Sequence, residues 1–536
     1  MQRPVVLILA AAMAVAGCSR RETLVETGAQ NQVLHIGNKD EPSDLDPQIN
    51  TASSTVTILG ALFEGLVVYS SDGRTVLPGM ADRWEVSPDG LTYTFHIRDG
   101  ARWSNGQPLT SRDFLESFMR LLDPRVACEE VGWAFPIRGA RDFVEGRSTD
   151  PASVGIRAPD EHTFVVSLNH PAPYMLMLLT NTAFYPVYMP SLDASGGRQQ
   201  RGGPWTRPGA LVSNGPFVLN DWKPNAYVSV TRNPNFWDAA RIRLREIRFY
   251  PTDDENAEER AFRAGQLHVT ARLPKTKVPV YEAEHGQELH VLPILRTNYL
   301  SFNVTRPPFT DPRVRRAFSL AVDREKLVRA ALGRLGTPAF SFVRPGTGGY
   351  TPASRFRFDP VEGRRLLAAA GFPRGAGMPP VELTLNGNRG VTIAVAEVLQ
   401  QMWAENLGVR ATVRALEFKV YLSTEREKQF QVLLEGWSYT IDDARDLLEE
   451  GISDDPGNDT GASIRDFDDA FAAADSTSDQ ARRREAFERM EAIIAREGFY
   501  APLYYTNQGF LVHPSVRGWR DNSIQWIDWR ELYLEP

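Results

Sequence analysis

The sequence predicts an α/β protein built as two lobes with a cleft between them. Three observations lead there. The second half alternates helix-like and strand-like runs, the mark of an α/β lobe. The first half is richer in turns, proline and short strands, so the two halves differ in texture. The 536 residues are enough for two or three domains, and lobes of different texture leave a cleft between them.

The first residues set the compartment. Residues 1–3 carry one positive charge, residues 5–15 are unbroken apolar, and Val15-Ala16-Gly17-Cys18 follows. The apolar run falls short of the ~20 residues that cross a bilayer, so residues 1–17 read as a removable secretory signal. The placement of Cys18 resembles a bacterial lipobox, which implies cleavage before Cys18 and lipidation of its thiol. An ordinary signal peptide with an accidental cysteine is the competing reading. Residues 18–31 are polar and aperiodic and read as a tether. No other segment reads as membrane-spanning.

Only Cys128 remains as a second cysteine, which excludes a disulfide framework and reads as a small buried residue. The net charge of −7 and the lack of a long basic run argue against nucleic acid as a partner.

Along the chain, residues 91–97 alternate as a strand, with shorter runs at 163–168 and 227–231 and another strand at 242–250. Thr110 and Asp113 form a capping-type start before Phe114, Leu115, Phe118 and Leu121. Asn105-Gly106 fits a tight turn. Asp311-Pro312 opens a helix running to Gly333, and 392–407 and 479–496 repeat the helical pattern. Runs at 381–385, 409–416 and 432–434 read as the strands between.

Several stretches, in order, carry a resemblance. Phe63-Glu64-Gly65-Leu66 precedes Leu77-Pro78-Gly79-Met80-Ala81-Asp82-Arg83-Trp84 and Trp103-Ser104-Asn105-Gly106. Then come Ser213-Asn214-Gly215-Pro216-Phe217, Arg232-Asn233-Pro234-Asn235-Phe236-Trp237, Asp311-Pro312-Arg313-Val314-Arg315 and Gly436-Trp437. The chain resembles the oligopeptide- and dipeptide-binding proteins of ABC importers over essentially its whole mature length. The resemblance implies a two-lobed periplasmic-binding-protein fold with three domains. Domain I is discontinuous (32–72, 211–294 and 503–536), domain II spans 73–210, and domain III, the second lobe, spans 295–502. It further implies a monomeric receptor in the periplasm or cell envelope, held to the membrane at Cys18. That receptor hands a peptide or peptide-like solute to the permease subunits and needs no cofactor. A non-peptide ligand is the alternative: an oligosaccharide, a peptidoglycan fragment or a conjugated amino acid. An exported hydrolase is the distant one.

The family's amine-pairing aspartate lies shortly after the Gly-Trp. Here the stretch reads Gly436-Trp437-Ser438-Tyr439-Thr440-Ile441-Asp442-Asp443, and without a gap Thr440 takes the aspartate's place. Either Asp442 or Asp443 reaches the same amine after a local shift, or the ligand has no amine there, since a hydroxyl cannot offset a buried ammonium. Trp437, Tyr439, Thr440, Asp442 and Asp443 are therefore the candidate ligand contacts. Arg426 is a candidate for a ligand carboxylate, against the plainer reading of an exposed helical arginine. Glu41, in Asp40-Glu41-Pro42-Ser43-Asp44, is expected near the cleft mouth.

No Gly-x-Ser-x-Gly, phosphate loop or His-Glu-x-x-His is present. Gly346-Thr347-Gly348-Gly349 reads as a plain loop, and His285 and His290 lack companions at metal-ligand spacing. The adjacent pairs Asp442–Asp443 and Asp454–Asp455 do not make a glycosidase, because neighbouring side chains normally point apart. An enzyme and a metal site are not expected.

Overall fold

The computed structural model describes residues 22–387, 390–453, 455 and 457–536. The predicted leader, Cys18 and Asp454 lie outside the described residues.

The first lobe holds a pair of four-stranded sheets over one continuous apolar core. One sheet runs Val33–Gly37, Glu246–Tyr250, Tyr227–Arg232, Phe217–Lys223, so its strands come from distant parts of the chain. The other runs Ala81–Val86, Thr92–Ile97, Thr163–Ser167, Ile156–Arg157. Thr92–Ile97 shows why it is a strand: Tyr93, Phe95 and Ile97 are buried while Thr92, Thr94 and His96 are half-exposed. The helix Ser111–Leu121 begins at the Thr110/Asp113 capping box, with Thr110 N donating to Asp113 Oδ2 at 2.7 Å. It lays Phe118 edge-on against Phe164 of the sheet. Cys128 is buried in this core, which pushes its thiol up to about 12.

The second lobe is built on a six-stranded sheet in the order Gly336–Pro338, Tyr500–Leu511, Leu289–Phe302, Val432–Ser438, Val381–Asn386, Ala411–Leu416. Val381–Asn386 pairs parallel with both neighbours, as an α/β lobe requires. The helices Gly390–Leu407 and Gln480–Glu497 lie where the periodicity puts them, the second ending at Gly498 in the left-handed region (φ 67). The single helix expected over 311–333 is in fact a pair, Pro312–Leu320 and Arg324–Ala331. Asp323 breaks it by capping the second, accepting from Lys326 N at 2.9 Å.

The expected tether also differs. Residues 24–31 form a helix, Leu24–Asn31, opened by a reciprocal capping box between Thr23 and Glu26. Val25, Gly28 and Ala29 are buried, and Val25 N donates to Gly265 O at 2.9 Å. The Thr-x-x-Glu spacing was readable, but three small apolar contacts are too weak a periodic signal to show a docked face.

A pair of long strands joins the lobes. Leu289–Phe302 and Tyr500–Leu511 pair antiparallel from Leu289↔Leu511 to Ser301↔Tyr500, with a register shift between Pro293 and Thr297. The expected domain limits at 294/295 and 502/503 fall inside these strands. Away from them the lobes also touch. Tyr174 of the first lobe, fully buried, donates to Asp475 Oδ1 at 2.5 Å, and the Arg445 guanidinium lies over its ring at 4.7 Å. Ile441 of the second lobe sits in the first lobe's core.

Candidate functional site

A cavity of about 930 Å³ opens where the lobes meet the crossing strands. The first lobe contributes Asp72, Arg74, Met177 and residues 521–523, the crossing strand Leu292, Pro293 and Leu295, and the second lobe residues 344–349 and Asp442. The glycine-rich loop is therefore a wall of the cavity. Gly346, Gly348 and Gly349 all take positive φ, and Gly348 N donates to Asp442 Oδ1 at 2.8 Å.

Opposite charges face this space. Arg344 is held by both crossing strands, donating to Ile294 O and Thr506 O at 3.0 Å and to Asn507 Oδ1 at 3.2 Å. Burial lowers its pKa. Among the described residues Asp442 accepts only the Gly348 amide, and burial raises its pKa. Neither is in a salt bridge among the described residues, so each keeps charge to offer a ligand.

The segment after Gly436-Trp437 is organised by a residue the sequence reading passed over. Asp446, 1% exposed, accepts from Trp437 Nε1 (3.0 Å), Thr440 N (2.5 Å) and Ile441 N (2.8 Å). Burial pushes its carboxyl up to about 7 against the pull of those three donors. The turn it ties presents Asp442 to the cavity. Tyr439, buried, exchanges a hydrogen bond with Thr297 Oγ1 at 2.8 Å and accepts from Arg344 N at 3.2 Å. Trp437, Tyr439, Thr440 and Asp442 thus share one corner, and of the residues expected to touch ligand only Asp442 lines the cavity.

The remaining candidates lie elsewhere. Asp443 is 4% exposed and clamped by Arg483 at 2.8 and 2.9 Å, and it caps the helix Ala444–Leu448. Adjacent residues on an extended corner point opposite ways, so the pair divides into one structural and one cavity-facing acid. Glu41 is spent on the hairpin of the first lobe, accepting from Trp222 Nε1 at 2.6 Å and Asn225 N at 3.1 Å. Arg426 is exposed at the end of the helix Phe418–Arg426. Arg344 was missed because a lone Arg-Pro-Gly in a loop carries no periodic or spacing signal.

Two sheeted lobes, a pair of crossing strands and an open cavity between them with opposed charges define a solute-binding receptor. The chain belongs to the bacterial extracellular solute-binding proteins, family 5, whose middle-region description matches residues 75–459. It is 31% identical to the probable deoxycholate-binding periplasmic protein YgiS of Escherichia coli, covering 95% of this chain and 94% of that one. It is 30% identical to the periplasmic murein peptide-binding protein MppA of the same organism, over 94% and 93% of the two chains. The structure of Haemophilus influenzae OppA in complex with the peptide RPPGFSPFR superposes with a TM-score of 0.79 at 27% identity, covering 95% of this chain and 99% of that one. No helix among the described residues is long and apolar enough to cross a membrane.

Proposed function

We propose that this chain is the extracytoplasmic receptor of an ABC importer and that its solute is a peptide or peptide-like molecule carrying both an amine and a carboxylate. The observation that supports this is the pairing of Asp442 and Arg344 on the wall of one cavity, neither neutralised by a protein partner. Asp442 takes the ligand's ammonium in place of the residue at Thr440, and Arg344 takes a carboxylate. The volume falls in the ~300–1,000 Å³ range of small-ligand sites. Residues 32–72, 211–294 and 503–536 form the discontinuous domain, 73–210 the second and 295–502 the third, closing about the crossing strands. Cys18 carries the lipid anchor, and the receptor works as a monomer without catalysis.

A second reading is a carboxylated apolar solute, favoured by Met177, Leu292 and Leu295 beside Arg344. Mass spectrometry of solute extracted from purified protein decides between them. A peptide or murein fragment upholds the first reading, and a carboxylated solute with no amine overturns it in favour of the second. Cys18→Ala releasing the protein from the membrane fraction tests the anchor.

A further inference from the structure

On the strand that carries Gly436-Trp437, but away from the cavity wall, the second lobe gathers acids that Arg426 and Lys428 offset only in part and from beyond salt-bridge distance. Glu425 comes from the helix Phe418–Arg426, Glu435 from the strand Val432–Ser438, and Asp459 from the loop beyond. A carboxylate oxygen from each lies within 4.8 Å of the other two. Among the described residues none of the three is in a salt bridge. Lys428, the cation beside Asp459, gives its Nζ instead to Asn458 O at 2.6 Å. Glu450 and Asp455 add further negative charge at the edge.

A second observation is independent of the acids. Tyr421, 5% exposed, has a hydroxyl with no hydrogen-bond partner among the described residues, and that hydroxyl feels Glu435, Glu425 and Asp459 together, offset in part by Arg296. Glu435 Oε1 is likewise sealed from solvent with no hydrogen-bond partner. Buried oxygens left unmatched are costly, and like charges this close repel strongly. One positive centre among them answers both costs. A calcium–oxygen shell of ~2.4 Å radius places its oxygens up to about 4.8 Å apart, and an ammonium with N–O contacts of ~2.8 Å fits the same ring.

We propose that Glu425, Glu435 and Asp459, with the Tyr421 hydroxyl, form a cation-binding site that takes either a hard divalent ion or a primary ammonium group. It does not depend on which solute the cavity takes. The experiment is calorimetric titration of the intact protein with calcium chloride and, separately, with butylammonium chloride, against potassium chloride at matched ionic strength. Saturable binding of at least one probe is expected, weakened on the order of tenfold or more by Glu435→Gln and by Asp459→Asn, and unchanged by the exposed control Glu485→Gln. Both test substitutions keep side-chain shape and lower repulsion, and an unlowered melting temperature verifies their folding. Calcium binding alone identifies a metal site, and butylammonium binding alone an amine site. Binding of neither probe above potassium, or binding that survives both substitutions, overturns the proposal. Neither probe contains a peptide bond, so that failure leaves the receptor reading untouched.

Discussion

Arg120, buried in the first lobe, and the half-buried acids around Glu435 in the second are charges handled in opposite ways. Arg120 donates to Asp46 through both terminal nitrogens (3.1 and 2.6 Å), to Gln48 Oε1 at 2.6 Å, and to the carbonyls of Arg198 and Gln200. Asp46 is fully buried and spends its remaining lone pairs on the amides of Gln48 and Gly202. Every donor has an acceptor. In the second lobe Glu425, Glu435 and Asp459 face one another, and among the described residues none of them is in a salt bridge. The same contrast recurs one residue apart: Asp443 is clamped by Arg483, while Asp442 keeps its charge for the cavity. Buried charge that is matched inside the protein builds the scaffold, and half-buried charge left over marks a place for something else.

The largest expected effect lies on the matched side. Arg120→Leu or Arg483→Leu strands a buried aspartate and should cost ~3–5 kcal/mol of stability, read from the denaturant midpoint. A midpoint within the scatter of wild type would remove the distinction between scaffold and site. On the unmatched side of the cavity, Asp442→Asn should cost ~2–5 kcal/mol of ligand binding with little change in stability. Its loss should be largest for ligands with a free amine, whereas Arg344→Gln should penalise ligands with a free carboxylate. Asp443→Asn should instead cost stability, so the two neighbours separate in one pair of calorimetric experiments.

Neutral buried groups give a third test. His35 N donates to His268 Nδ1 at 3.0 Å, the rings stack at 5.6 Å, and His268 Nε2 has no partner. Burial lowers His35 to about 4 and His268 to about 3. Below the unfolded value near 6.5 the unfolded chain takes up protons that the folded chain refuses. Stability should therefore fall by up to a few kcal/mol as pH drops from ~6.5 to ~4. His268→Gln should flatten that slope by about one proton, measured by denaturation across the range.

The smallest effect belongs to the unmatched acids themselves. Burial raises the pKa values of Glu425, Glu435 and Asp459, and repulsion from the neighbouring acids adds to the rise at Glu435 and Asp459, so the folded chain binds more protons there than the unfolded one. Glu450, Asp455, Lys428, Arg426 and the phenols of Tyr299, Tyr421 and Tyr500 face the same cluster. Their penalty is present at high pH and is relieved as pH falls toward the ordinary carboxylate range. Glu435→Gln should accordingly be ~1 kcal/mol more stable than wild type at pH 9, and the gap should close near pH 5. A gap that is absent or reversed at pH 9 means the acids are matched after all.

The sequence by itself determined the elements with a strong period or cap. Thr92–Ile97, Ser111–Leu121, Gly390–Leu407 and Gln480–Glu497 were all readable, because alternation, helical spacing and caps are local. It also determined the α/β class, and it pointed to the corner at 436–443, from which Asp442 lines the cavity. It missed the docked helix Leu24–Asn31 and the break at Asp323, where few apolar contacts or a single cap decide the outcome. Which acid faces the cavity was a tertiary matter. Asp442 and Asp443 are identical neighbours in sequence, and only the packing of Arg483 against one and Gly348 against the other tells them apart. Arg344 reaches the cavity wall because two strands distant in sequence supply the carbonyls that hold it. A residue's charge is written in the chain, but whether that charge is already answered depends on what folding brings beside it.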